Sequence, residues 1–150
     1  MAEKKNGLIA IVRVRGLTGM NPKRKDTALM LNLKRSNQAT LIQLNDSYMG
    51  MLEEVKDYVT WGPVSKPVLV SMLTKRGYCG KKKLSDAKPS AEIEKLADEL
   101  IAGKTLKQLE IKRNFRLTPP SKGWKGKRLR YPQGDLGPRD SLDALLKRMI

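Results

Sequence analysis

The chain has 150 residues, of which 39% are hydrophobic and only 5% aromatic; this length suits one domain, or one with an appendage, around a lean aliphatic core. Its 31 Lys and Arg against 15 Asp and Glu give a formal charge of +16 and a pI near 10.1, which calls for a polyanionic partner, nucleic acid foremost. With no His and a single Cys, the usual zinc ligand sets and the Ser-His and Cys-His catalytic pairs are excluded, and no run approaches the roughly 18 apolar residues of a spanning helix.

In chain order, LIAIVRVR (8–15) alternates. Leu8, Ala10, Val12 and Val14 share one face, and Ile9, Ile11, Arg13 and Arg15 the other, so the segment reads as a strand. Arg13 and Arg15 are expected on an exposed sheet surface, where they would contact RNA. LIAIV breaks into these arginines, so no secretory signal is read there, and the lone Cys79 suits a reducing, intracellular compartment. Asn21-Pro22 opens a helix over 23–35, with Lys34-Arg35 at its negative end. Its opening cluster Lys23-Arg24-Lys25 opposes the positive N-terminus and suits phosphate oxygens better than helix stability.

QATLIQLN (38–45) is a second strand. Asp46 is expected to cap a second helix carrying Tyr48, Met51, Leu52, Val55 and Tyr58 at helical spacing, and VTWGPV (59–64) a third strand. Strand, helix, strand, helix, strand packs as a small antiparallel sheet with both helices on one face. Ser65 is then expected to cap a helix over 67–76, with Gly77 in the position that favours a left-handed residue. GYCGKKKLS reads as a basic loop; it lacks the spacing of a phosphate-binding loop. Ser90 opens an amphipathic helix with Ile93, Leu96, Ala97, Leu100 and Ile101 on one stripe, closed by Gly103, and 140–150 forms a last short helix.

The two signs of charge are segregated. Residues 111–134 hold eight bases and no acid, and 58–85 six bases and no acid. Within PPSKGWKGKRLRYPQG (119–134), Lys122, Lys125 and Lys127 suit phosphates as point charges. Arg113, Arg116, Arg128 and Arg130 suit them bidentately, and Trp124 and Tyr131 suit unpaired bases. So Gly- and Pro-rich a stretch is not expected to order on its own apolar surface, and it is expected to be cut by protease in the free protein. Lys81-Lys82-Lys83 is either a phosphate clamp or a solubilising loop. Cys79 reads as a small apolar filler, and Glu53, Glu54, Asp57, Glu92 and Glu94 as partners for nearby bases. No metal, cofactor or catalytic constellation is implied, so the chain is read as a non-enzyme. Open alternatives are a free chromatin or RNA-chaperone protein, an RNA-modifying enzyme and a membrane-surface protein.

The stretch LIAIVRVRGLTGMNPKRKDTALMLNLKRSNQATLIQLNDSYMGMLEEVKDYVTWG resembles the core of the large-subunit ribosomal protein thirty family. FRLTPPSKGWKG and QGDLGPRDSLDALLKRMI resemble the extension of its archaeal and eukaryotic branch, and the compact length looks archaeal. The resemblance covers essentially the whole chain. It implies an α+β fold, a three-stranded antiparallel sheet with two helices on one face (half of a ferredoxin-like arrangement), over residues 1–62. A helical and basic extension over 63–150 follows. It further implies a structural constituent of the cytoplasmic large ribosomal subunit, without membrane association. Its partner is large-subunit ribosomal RNA, with the small ribosomal RNA species and ribosomal proteins as possible neighbours. The RNA contacts implied are Lys23, Arg24 and Lys25; Lys34, Arg35 and Asn37; and the extension from Lys122 to Arg130. Where many relatives carry Arg-Gly-Gly, this chain has Lys122-Gly123-Trp124.

Overall fold

The computed structural model describes residues 7–16, 18–131 and 133–150. Residues 1–6 of the first segment, residue 17 of the first turn and residue 132 of the basic loop lie outside the described residues. Strand β1 (Leu8–Arg13) is the centre, paired antiparallel with β2 (Gln38–Gln43) and β3 (Val59–Pro63). Helices α1 (Pro22–Met30) and α2 (Asp46–Val55) cover one face, where Ile9, Ile11, Ala28, Leu31, Leu52, Val55, Val59 and Trp61 form a core. The α+β arrangement read from the sequence is therefore present.

The other face of the same sheet is equally apolar, and the second half of the chain covers it. Helices α3 (Lys66–Arg76), α4 (Leu84–Ala87), α5 (Ser90–Ala102) and α6 (Asp143–Met149) bring Leu69, Met72, Leu73, Leu84, Ile93, Ala97, Leu100 and Leu146 against Ala10, Val12, Ala39 and Leu41. Both halves of the alternation in LIAIVRVR are thus buried. Hiding each such side chain from water contributes about 1.5–3 kcal/mol. GYCGKKKLS is a hairpin, β4 (Tyr78–Cys79) and β5 (Lys82–Lys83), turned at Gly80 with φ +66°. Cys79 packs on the α3/α5 core. Two further strands of two residues each extend the sheet: β6 (Phe115–Arg116) along β2, and β7 (Gly137–Pro138) parallel to β3. Segments this short carry no readable periodicity.

Several boundaries differ from the expected ones, each for a local reason. Helix α1 stops at Met30 because Asn32 takes φ +60°. The Leu33 N–H then bonds back to the Ala28 carbonyl (3.0 Å) and the Asn32 N–H to Leu29 (3.0 Å), a Schellman stop with Asn in the glycine position. Lys34 and Arg35 consequently follow the helix instead of closing it. The α2 cap is Asn45, whose Oδ1 accepts from the Tyr48 N–H at 2.8 Å, with Asp46 in the first turn. Gly77 is not left-handed (φ −77°, ψ 142°); a Cβ there would collide with the Leu73 carbonyl, so glycine is required by contact. Helix α6 begins at Asp143, whose Oδ1 accepts the Ser65 N–H (2.9 Å) and so caps the start of α3 from a distance of 78 residues.

Leu52 and Leu146 are each fully buried, one on either side of the sheet, and truncation to Ala is expected to cost about 2–5 kcal/mol at each. Trp61 reports the α1/α2 core, and Trp124 packs against the α3/α5/α6 core. Because β1 belongs to both, tryptophan emission of the Trp61→Phe and Trp124→Phe chains in urea is expected to show coincident midpoints after correction for stability. Two well-separated transitions would show instead that the faces unfold independently.

Candidate nucleic-acid interface

The residues singled out for charge fall into four places, and the structure treats each differently. Arg13 is the clearest correction. It is fully buried under α1, its Nη1 donating to the Leu33 carbonyl (2.6 Å), Nε to the Arg15 carbonyl (2.8 Å) and Nη2 to Met20 Sδ (3.3 Å). The alternation put Arg13 on the Ile9/Ile11 face, but that face is the α1/α2 core and not an open surface. Its planar fork joins the end of β1 to the chain leaving α1. Burial pulls the guanidinium below its ordinary value, opposed by Tyr58, yet it stays charged at neutral pH. Arg15 is half-buried, stacked over the Tyr58 ring at 5.0 Å.

The second place is a cleft of about 320 Å³ at the β2/β6 edge of the sheet. It is lined by Asn32, Lys34, Arg35, Gln38, Lys112, Arg113, Asn114 and Arg116. Five of its eight lining residues are cations and none is an acid. Among the described residues, no carboxylate forms an ion pair with any of these five. The folding that makes the cleft is local and specific. Asn32 ends α1 and turns the chain, so Lys34 and Arg35 face the strand that follows. Gln38 Oε1 then accepts the Lys34 N–H (3.0 Å), the Arg35 N–H (3.1 Å) and Asn114 Nδ2 (2.9 Å), which ties the two cationic segments into one wall. Pairing of β6 with β2 holds Arg116 opposite Gln38. Asn37 adjoins the cleft through its backbone, its carbonyl accepting the Leu117 N–H at 3.0 Å. Two buried acceptors, Asn37 Oδ1 and Asn114 Oδ1, lack a donor among the described residues.

The third place unites the start of α1 with the basic loop. Asp57 lies 3.6 Å from Arg24 and 3.7 Å from Arg130, and Glu54 is 3.9 Å from Lys23. Each exposed pair contributes at most about 1 kcal/mol, yet together they set Lys23, Arg24 and Arg130 on one side of the molecule, with Lys25 exposed next in α1. The loop itself is tethered. Asp135 and Arg139, with side chains only 7% and 10% exposed, pair at 2.8 Å. Arg139 Nε also donates to Thr60 Oγ1 (2.9 Å), and Asp135 Oδ2 accepts the Gly126 N–H (3.0 Å). Arg148 donates through Nε to the Ser121 carbonyl (3.0 Å) and through Nη2 to the Gly123 carbonyl. Lys122, Lys125, Lys127 and Arg128 remain exposed on this frame. Trp124 is half-buried on the core and Tyr131 lies under Arg139 (5.1 Å), so the protein itself uses both rings.

The fourth place is the β4–β5 hairpin, where Lys81, Lys82 and Lys83 are exposed. The Tyr78 carbonyl accepts the Lys112 N–H at 2.8 Å, so the hairpin abuts a wall of the cleft. Reading by residue type found Lys34, Arg35, Arg113 and Arg116 but passed over Asn32, Gln38, Lys112 and Asn114. The signal that was there is LNLKRSNQ, a run of amides and cations too polar for a helix end that merely stops.

Arg13→Met is expected to lower stability by about 1–3 kcal/mol through the carbonyls left without a donor. Where the variant is folded it should leave the slope of log RNA affinity against log salt unchanged, since the buried Arg13 is not free to meet a phosphate, as read by urea titration beside filter binding. Asp135→Asn is expected to cost a similar amount and to speed tryptic cleavage after Lys125, Lys127, Arg128 and Arg130. Unchanged cleavage there would show that the buried pair does not hold the loop.

A family model described as Ribosomal protein L30p/L7e matches residues 9–59, the span from β1 to β3. The large ribosomal subunit protein uL30 of Methanobrevibacter smithii is 38% identical, over 95% of this chain and 100% of its own length. That of Korarchaeum cryptofilum is 40% identical over 95% of each chain, and that of Methanococcus vannielii 45% identical over 77% of this chain and 79% of its own. With the β-α-β-α-β core in place and relatives alike from end to end, the chain belongs to the Ribosomal protein L30p/L7e family.

Proposed function

We propose that this chain is a structural constituent of the large ribosomal subunit, that it binds and stabilises large-subunit ribosomal RNA in the cytoplasm, and that it catalyses no reaction. The observation that carries this reading is the cleft at β2 and β6, where five cations converge without a carboxylate. Elsewhere the protein spends its acids on neighbouring bases, so this concentration of like charge is left for an external anion to neutralise. The relatives carry the name of a large-subunit protein, which supports ribosomal RNA as that anion.

In this reading Lys34, Arg35, Lys112, Arg113 and Arg116 bind phosphates in the cleft, with Asn37 beside them. Lys23, Arg24, Lys25 and Arg130 form a second contact, continued by Lys122, Lys125, Lys127 and Arg128. Lys81, Lys82 and Lys83 extend the first. Trp124 and Arg15 act chiefly through packing. Residues 1–62 form the ribosomal core and 63–150 the extension, which adds RNA-binding surface while covering the sheet. The small ribosomal RNA species and adjoining ribosomal proteins are candidate neighbours.

The test is a density-gradient run of cell extract before and after a high-salt wash. Stoichiometric migration with the large subunit through the wash is expected. Release to the top of the gradient, or migration with DNA, would identify a free basic protein instead. With purified chain and RNA, Arg113→Gln and Arg116→Gln are each expected to reduce the slope of log affinity against log salt by about 0.7–0.9.

A further inference from the structure

We infer that the cleft between β2 and β6 receives one unpaired, extruded nucleotide rather than a stretch of duplex; this rests on the RNA-binding reading above. Shape makes the first case. A duplex displays its phosphates on a convex cylinder and is met by a flat or gently curved basic face, whereas this site is a concavity of about 320 Å³. A half-open concavity of that size is matched by a single nucleotide unit.

Chemistry makes the second. A clamp that reads only phosphates needs only cations, yet three of the eight lining residues are primary amides, Asn32, Gln38 and Asn114. Asn and Gln side chains hydrogen-bond base edges, and in RNA those edges are accessible on unpaired nucleotides because the deep groove of the A-form helix hides them. The guanidinium planes of Arg113 and Arg116 offer the stacking surfaces that an unpaired base takes up.

The third observation is an incomplete network. Gln38 Oε1 takes two backbone N–H groups, which fixes it as the acceptor, so Asn114 must turn Nδ2 towards it. The orientation of Asn114 is settled by that bond, and its Oδ1 is left buried without a donor. Buried polar atoms are ordinarily satisfied. Asn114 lines the cleft, so a ligand seated there is the available source of a donor, a base amino group or a ribose hydroxyl, once a side-chain shift opens Oδ1 to it. Gln38 is accordingly a positioning residue: it holds both cationic segments and Asn114 in one arrangement.

The experiment compares two RNA hairpins that differ by a single bulged adenosine, titrated against the full chain over a range of salt. The bulged hairpin is expected to bind about tenfold tighter, the scale of stacking and pairing one base on a protein. Asn114→Ala is expected to abolish that preference while leaving the salt slope intact, since it alters no charge and frees neither cationic segment, whereas Gln38→Leu, which releases the Lys34 and Arg35 N–H groups, is expected to abolish it with a shallower slope. Circular dichroism melts accompany both, and Asn114→Ala, which removes one side-chain bond, stands if Gln38→Leu misfolds. Equal, tight binding of the two hairpins by the unaltered chain would overturn the nucleotide pocket and leave the ribosomal reading standing. Failure to bind either hairpin would count against both.

Discussion

Strand β1 has no solvent face. Ile9 and Ile11 pack beneath α1 and α2, while Ala10 and Val12 meet the helices of the second half. An antiparallel sheet more often leaves one side to water, and its strands then alternate apolar with polar residues. Here the alternation sorts two apolar sets to two different cores, and the sheet is stable only when covered on both sides. That requirement explains why the second half is folded onto the first, and why β6 and β7 cap the two edges with a pair of residues each.

Arg13 follows from the same constraint. At the end of a doubly buried strand it cannot reach water, so its guanidinium is satisfied by the Leu33 and Arg15 carbonyls and by Met20. Those bonds fix the path of the chain after Asn32, and that path places Lys34 and Arg35 beside Gln38. A residue that resembles an RNA ligand in the sequence instead builds the loop that carries Lys34 and Arg35. The distinction is between cations whose donors are spent inside the fold and cations whose donors are free.

The excess of positive charge is apportioned rather than spread. Asp57 and Glu54 hold Arg24, Arg130 and Lys23. Asp98 meets Lys66, in a hydrogen bond that raises the lysine above its ordinary value. Asp135 pairs with Arg139 in near-complete burial, where the attraction is least screened and the loss of either partner is most costly. The cleft at β2 and β6 receives none of these acids. The fold accepts the repulsion among its cations because Gln38 and the β2–β6 pairing hold the walls.

Much was legible in the amino-acid order. The alternation of LIAIVRVR, the Asn21-Pro22 helix start, the stripe from Ile93 to Leu100 (Ile101, expected on it, is exposed) and the closing Gly103 are local patterns with local causes, and they determined the elements and the α+β class. The net charge pointed to an anionic partner. Tertiary structure alone decided which face of β1 is covered and by what, and hence that Arg13 is internal. It also decided that Trp124 rests on the core, and that Asn32, Gln38, Lys112 and Asn114 meet Arg113 and Arg116 across a 76-residue separation between Gln38 and Asn114. The physical reason is that periodicity reports only the direction in which a side chain points. Whether it finds solvent, a carbonyl or another cation depends on segments remote in sequence.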